Sequence, residues 1–280
     1  MKNILIPTDF SDNAWNALLY AISFFKKTHC TFHILNVNAI NTNVSGETAM
    51  YIAPELLEET LLAESREKLK ALIKKIEQLP LNVKHEFNTL SLYGFLTDHI
   101  KMQVKEKNID LIVMGTKGAT GLKSVSIGSN TGDVITKVPC TVMAVPEHAT
   151  YHSVKEIGLP SDFQVKYHYK ILSILKDIIS LKNAAIRLLY VSLRNEKLSP
   201  IQESNKAFLI DYFKDNECSF HLVTGKKIDE SIQCFTESRN LDLLVMVAKN
   251  LNFLERILFR PTVEKISYHT KVPFLVIHET

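Results

Sequence analysis

The sequence predicts an α/β protein made of two tandem doubly wound domains, each a five-stranded, mostly parallel sheet flanked by helices. Three observations lead there. The chain has 280 residues, about twice the usual domain. Short apolar runs alternate with helical periodicities along its length, the pattern of strands covered on both faces of a parallel sheet. Three segments also recur in the same order. Ile6–Phe10 (IPTDF) returns as Leu159–Phe163 (LPSDF), Asn108–Met114 (NIDLIVM) as Asn240–Met246 (NLDLLVM), and Thr136–Pro139 (TKVP) unchanged at Thr270–Pro273. The offsets of 153, 132 and 134 differ, so loops have changed length between two copies of one plan. The boundary is expected in the polar stretch Pro146–Ser153, giving domains 1–146 and 154–280.

In the first copy, Asn3–Ile6 is a short apolar strand closed by Pro7. Ser11 or Asp12 can cap the next segment, where Ala14, Leu18, Ala21, Ile22 and Phe25 recur at helical spacing. Thr31–Val37 alternates as a strand does, and Pro54 opens a long helical pattern to about Gln78, proline being well placed in a first turn. Val83–Phe87 reads as a strand, Phe95–Glu106 as an amphipathic helix, Leu111–Met114 as a fully apolar strand, Asn130–Thr136 as a helix and Thr141–Val145 as the last strand. The second copy places strands at Glu156–Leu159, Ala185–Val191, Ser219–Val223, Leu243–Val247 and Phe274–Ile277, with helices between them. In such sheets ligands bind beyond the carboxyl ends of the strands, here just after Ile6, Val37 and Met114.

Hydrophobic residues make up 46% and charged residues 22%, an ordinary globular mix that excludes a disordered or collagen-like chain. The formal charge of +3 comes from 33 basic and 30 acidic residues in no long run, so neither nucleic acid nor an anionic membrane is an expected partner. Cys30, Cys140, Cys218 and Cys234 lie far apart without a CxxC pair and are expected to be reduced, mostly buried small apolar residues. MKNILIPTDF holds no apolar stretch of signal-peptide length, and no run approaches the roughly 18 apolar residues of a spanning helix. A cytoplasmic location is expected.

Five of the nine glycines fall in Gly115–Gly132, between a strand and a helix. Glycine lets backbone approach a ligand closely. Free N–H groups at the helix start, with the hydroxyls of Ser129 and Thr131, suit a phosphate chain, and Lys117 and Lys123 would add charge. On the residues alone, a second reading stands beside it: Gly115 and Gly118 shape a turn and Ser129 caps a helix. GxxxxGK[ST] is absent, as is GxGxxG after the first strand, so neither a P-loop nor a dinucleotide fingerprint is present.

The spacing G-x2-G-x9-G-[ST], carried by Gly115, Gly118, Gly128 and Ser129, together with Pro7-Thr8-Asp9 closing the first strand, resembles the universal stress protein family. The internal repeat extends the likeness over nearly the whole chain, as in its tandem two-domain members. The resemblance implies an adenine nucleotide hydrolase-like, Rossmann-like fold and ATP binding, since the glycine motif marks the family's nucleotide binders. It implies that Pro7, Thr8, Asp9 and the backbone at Val37 hold adenine and ribose, that Met114, Gly115 and Gly118 line the turn beneath the nucleotide, and that Gly128, Ser129, Asn130 and Thr131 take the phosphates. Asp9 would accept from ribose hydroxyls or help to hold Mg²⁺, a hard cation that prefers oxygen ligands. The nucleotide itself stays open among ATP, ADP and AMP. In the family the last strands pair across a dimer. In a tandem chain Thr141–Val145 and Phe274–Ile277 would pair within the molecule, as an intramolecular pseudo-dimer that leaves a homodimer possible.

The second copy departs from the motif. Applying the offset of 132, Gly115 becomes Val247, Gly118 becomes Asn250, Gly128 becomes Arg260 and Ser129 becomes Pro261. No glycine follows Gly225, and proline lacks an N–H, so this copy is expected to be inactive toward nucleotide. Arg256 and Arg260 read as solvated loop residues before they read as an anion site. The histidines show no metal-ligand spacing, and no GxSxG elbow is present. With no strong general base in view, ATP hydrolysis is expected to be slow at most, and no catalytic residue is assigned. The expected function is that of a cytoplasmic stress-response protein that binds ATP in its first domain and acts as a nucleotide-dependent regulator or interaction module for an unknown protein partner. The alternatives are a slow nucleotide hydrolase or transferase on the same fold, or a nucleotide-free scaffold. The long polar segment 38–50 reads as either mobile or a lid, and Met50 and Tyr51 at its end read as anchors of the following helix before they read as a cover for a nucleotide.

Overall fold

The computed structural model describes residues 1–38, 54–116, 128–193, 197–248 and 272–278. Within them the chain runs β1 (Lys2–Pro7), α1 (Asp12–Phe24), β2 (Cys30–Asn38), α2 (Pro54–Glu77), β3 (His85–Tyr93), α3 (Leu96–Glu106), β4 (Leu111–Gly115), α4 (Ser129–Lys137) and β5 (Val142–Val145). It continues with β6 (Glu156–Pro160), α5 (Tyr169–Lys182), β7 (Ala185–Ser192), α6 (Pro200–Tyr212), β8 (Cys218–Thr224), α7 (Ile228–Ser238), β9 (Leu243–Val247) and β10 (Phe274–Ile277). The strands form one ten-stranded sheet in the order β3-β2-β1-β4-β5-β10-β9-β6-β7-β8. Each half is a parallel block of five with the same order, 3-2-1-4-5 and its repeat. The blocks meet where β10 pairs antiparallel with β5, Phe274 opposite Ala144 and Leu275 opposite Met143.

Alternation along the strands divides the core into two layers. Ile4, Ile6, Ile34, Ile157, Leu159 and Leu188 face one side, where they pack with α1 and α2 of the first half and α5 and α6 of the second. Leu5, Leu35, Ile112, Met114, Leu244 and Met246 face the other side, with α3, α4 and α7. The sheet is therefore covered on both faces, which explains why its central strands read as continuous apolar runs.

The repeated segments are devices of the fold. In IPTDF the Thr8 Oγ1 accepts from the Phe10 N–H at 3.0 Å and Asp9 Oδ1 accepts from the Ser11 N–H at 3.0 Å. In LPSDF the Ser161 Oγ accepts from the Phe163 N–H at 3.0 Å and Asp162 Oδ1 from the Gln164 N–H at 3.1 Å. These bonds hold Phe10 (φ 63°) and Phe163 (φ 53°) in the left-handed region, which costs a bulky residue strain and persists because the turn over-determines it. In the second repeat Asn108 and Asn240 both take φ 49°, where asparagine is tolerated. The carboxylates two residues on pin the start of the neighbouring strand: Asp110 accepts from the Asn3 N–H at 2.7 Å, and Asp242 from the Lys155 and Glu156 N–H groups at 2.7 and 2.9 Å.

The third strand departs from the sequence expectation, running His85–Tyr93 rather than Val83–Phe87. It is an edge strand, so Asn88, Thr89 and Ser91 are accepted in it, and its second half lacks the continuous apolar run of the central strands. The stretch between the halves is pinned: the Asn16 Nδ2 donates to the carbonyls of Pro146 and Ala149, and Tyr151 packs edge-on against Tyr20. His148 and His152 are exposed. The cysteines also need correction. Cys30 and Cys140 are buried, their thiols pushed up to about 11 and about 12 mainly by burial, but Cys218 is half-buried and Cys234 is exposed on α7.

His33, buried in β2, has its pKa lowered, first by burial and then by the charge of Lys107. Below its ordinary pKa of about 6.5 the unfolded chain takes up a proton that the folded chain resists. Stability is therefore fully present above that pH and falls as the solution is acidified, by at most about 1.4 kcal/mol per pH unit for this one group. Denaturant unfolding at pH 7.5 and 5.5 is expected to show a smaller acid loss for His33→Gln than for the wild type. An equal loss would place the acid sensitivity elsewhere.

Candidate functional site

In the first half the strand order reverses between β1 and β4, which leaves a crevice at their carboxyl ends. A cavity of about 360 Å³ opens there. Pro7, Thr8 and Asp9 border it at the end of β1, Val37 at the end of β2, and Met114 and Gly115 at the end of β4, with Gly128, Ser129, Asn130 and Thr131 at the start of α4. The structure thus brings together every sequence-predicted site residue of this half except Gly118. That residue, with Lys117 and Lys123, lies outside the described residues. The segment 39–53, with Met50 and Tyr51, also lies outside them.

Each part of the wall has a local cause. Gly115 must be small: a Cβ there would stand 2.7 Å from the Asn13 Nδ2 and 2.8 Å from its Cγ. Its carbonyl accepts from the buried Thr131 hydroxyl at 2.7 Å, which fixes the start of α4 against the end of β4. The Gly128 N–H donates to the Thr116 carbonyl at 2.6 Å, closing the neck of the loop. Gly128 is the N-cap of α4 at φ −63° and ψ 152°, and no side chain caps the helix. The first-turn N–H groups of α4 therefore face the cavity without a capping side chain, and the positive end of the helix dipole adds to them. The turn after β1 is held from behind. Asn36 Nδ2 donates to the Thr8 carbonyl at 2.7 Å, and the buried Ser65 hydroxyl donates to Asn36 Oδ1 at 2.7 Å.

A second helix start closes the cavity, formed by Gly94, Phe95, Leu96 and Thr97 at the head of α3. Sequence reasoning missed it. Gly94 takes φ 139°, a glycine conformation, and a Cβ there would meet His99 Nε2 at 2.8 Å. A lone glycine ahead of an amphipathic helical pattern was the available signal. The ionisable groups among the described lining residues are Asp9 and Asp133, and Asp133 is paired with Lys137 at 2.8 Å. Asp9 Oδ1 also accepts from the Ser11 hydroxyl at 2.5 Å. A cavity of this size reaches the range of small-molecule sites, and an uncapped helix start beside glycine backbone fits an anionic group. Two carboxylates in the wall mean that a polyphosphate would need countercharge from a divalent cation or from lysines. Among the described residues, no group of three or more His, Cys, Asp or Glu side chains is placed to hold a metal by itself.

The second half differs at the matching place. Val247 ends β9 where Gly115 ends β4, and Asn250, Arg260 and Pro261 lie outside the described residues, as does Arg256. The turn from β6 to α5 takes residues 161–168, where that from β1 to α1 takes residues 8–11. In the longer turn Tyr167 is buried and its hydroxyl donates to Ser161 Oγ, the counterpart of Thr8, at 2.8 Å. Burial pushes the Tyr167 hydroxyl up to about 12, so it stays a neutral donor.

The profile of the universal stress protein family matches residues 1–146 and 202–278. Universal stress protein MJ0531 of Methanocaldococcus jannaschii is 33% identical over 146 residues, spanning 51% of this chain and 81% of that protein. Universal stress protein Slr1230 of Synechocystis sp. is 22% identical over 98% of this chain and 99% of its own length. Among solved structures, a universal stress protein from Archaeoglobus fulgidus aligns over 99% of this chain and 96% of its own at a TM-score of 0.70 and 18% identity, a likeness of fold.

Proposed function

Since the chain belongs to the universal stress protein family, we propose that it binds an adenine nucleotide, ATP before ADP or AMP, in a first domain spanning 1–146, and acts as a cytoplasmic, nucleotide-dependent regulator of a protein partner. The observation that carries this reading is the cavity of about 360 Å³ onto which the uncapped start of α4 opens between Gly115 and Gly128. Phosphates would lie on the N–H groups of Ser129, Asn130 and Thr131. Adenine and ribose would sit between Val37 and the turn Pro7–Asp9, and Mg²⁺ would be shared between the phosphates and Asp9. Among the described residues no helix is long and apolar enough to cross a membrane. The second domain, 154–280, keeps the sheet and gives up the nucleotide. Its contribution is to pair with the first across β5 and β10, in the place a second copy would take.

Mass spectrometry of small molecules released from the purified protein, followed by calorimetry with ATP, ADP and AMP with and without Mg²⁺, tests the reading. A copurified adenine nucleotide, or saturable ATP binding at one site per chain, is the expected result. Neither bound nucleotide nor heat of binding would overturn it in favour of a scaffold. Sustained turnover of ATP in place of stable binding would favour the hydrolase.

A further inference from the structure

On the α1 and α2 face of the sheet lies a second cavity, of about 260 Å³. Buried Ile6, Leu18 and Ile34 form its floor and Trp15 and Phe10 its aromatic walls, while Lys68 and Lys75 of α2 stand exposed at its rim. It adjoins the nucleotide cavity through Thr8 and Ala14 but faces the opposite layer of the core. The Lys75 Nζ sits 3.9 Å from the centre of the Trp15 ring, and the Lys68 Nζ 5.9 Å from that of Phe10. Among the described residues neither ammonium is ion-paired. Asp12, exposed in the first turn of α1, is the other charged lining residue, which leaves the mouth with a surplus of one positive charge.

The second half shows that this arrangement is not forced by the fold. There α6 takes the place of α2, and its Lys206, which lies over the Phe220 ring, is ion-paired with Glu203 at 2.5 Å. Tyr167, in the turn before α5, is buried in this half. In the first half the helix carries two cations without an ion-pair partner over an apolar hollow of about 260 Å³.

We propose that this cavity binds a small amphipathic monocarboxylate, its apolar body against Trp15, Leu18 and Ile34 and its carboxylate held by Lys68 and Lys75. Apolar surface favours the body and the lysines favour the head. A surplus of one charge matches a monoanion and disfavours a polyphosphate, which separates this site from the nucleotide cavity. Trp15 is the chain's single tryptophan, so its fluorescence reports occupancy directly. Octanoate, titrated below its micellar range and followed by Trp15 emission and by calorimetry, is expected to give saturable binding. Octan-1-ol is expected to bind at least ten-fold more weakly. The double variant Lys68→Met, Lys75→Met is expected to keep its circular dichroism and lose at least ten-fold in octanoate affinity. Binding should persist with ATP present, and vesicles of phosphatidylglycerol should not be bound. Absence of saturable octanoate binding, an unchanged affinity in the double variant, or binding to vesicles without binding to free octanoate would each overturn the proposal.

Discussion

Replacing Ser129 with proline is expected to lower ATP affinity at least 100-fold while the fold and thermal midpoint stay close to those of the wild type. The substitution copies Pro261, the residue that the second half places at the matching position. Ser129 is the first residue of α4, and proline is well tolerated at that position because its missing N–H has no partner within the helix. Gly128, at φ −63° and ψ 152°, already has the extended conformation that a following proline demands. The backbone therefore has no reason to move. What is lost is one N–H and one hydroxyl facing the cavity. Each hydrogen bond to a charged group is worth about 1.5–3 kcal/mol, and two such bonds make roughly two decades or more of affinity. Ser129→Ala, which keeps the N–H, should fall between the two. Calorimetry with ATP measures the series, and Ser129→Pro binding ATP as tightly as the wild type would put the phosphates somewhere other than the start of α4.

The same residues show what a sequence can and cannot disclose about such a site. Gly115, Gly128 and Ser129 were legible because backbone approach and a free helix start need particular residue types at particular places, and glycine is rare in the rest of the chain. The apolar strands were legible for a similar reason: a strand buried on both faces admits little but Val, Ile, Leu and Met. The edge strand β3 was misplaced because half of it faces water and reads as a loop. The Thr-Asp-Phe turn was read for its carboxylate, yet Asp9 and Asp162 make the same bond in both halves, so part of what the sequence offered as chemistry is turn geometry. Gly94 marked the head of α3, but its place in the wall was not legible, since Phe95 and Leu96 enter it only when β2 and β3 bring them beside β1. Tyr167 was not legible either. It lies in four extra residues that shift the alignment of the copies, and only contact with Ser161 shows that it packs behind the turn.

Truncation of Phe274 to alanine is expected to cost about 3–5 kcal/mol and, more tellingly, to lower the stability of the half of the chain to which Phe274 does not belong. Phe274 lies in β10, 1% exposed, one of the largest fully buried side chains described. Its register partner across the antiparallel seam is Ala144 of β5, and on the other side it is Leu244 of β9. Ala144 is too small to lean into the space left by truncation on the seam side, which places the cost toward the upper part of that range. Because β5 and β10 are hydrogen-bonded centre strands of one sheet, the loss is shared across the seam. Trp15, in α1, reports the first half alone. In denaturant unfolding its fluorescence transition should move to lower denaturant in Phe274→Ala, together with the far-ultraviolet circular dichroism of the whole chain. Two independent domains predict otherwise: the Trp15 transition would stay in place while the circular dichroism split into two steps. That outcome would show the halves to be joined only by residues 146–153, and the ten-stranded sheet would carry no coupling between the nucleotide cavity and the second half.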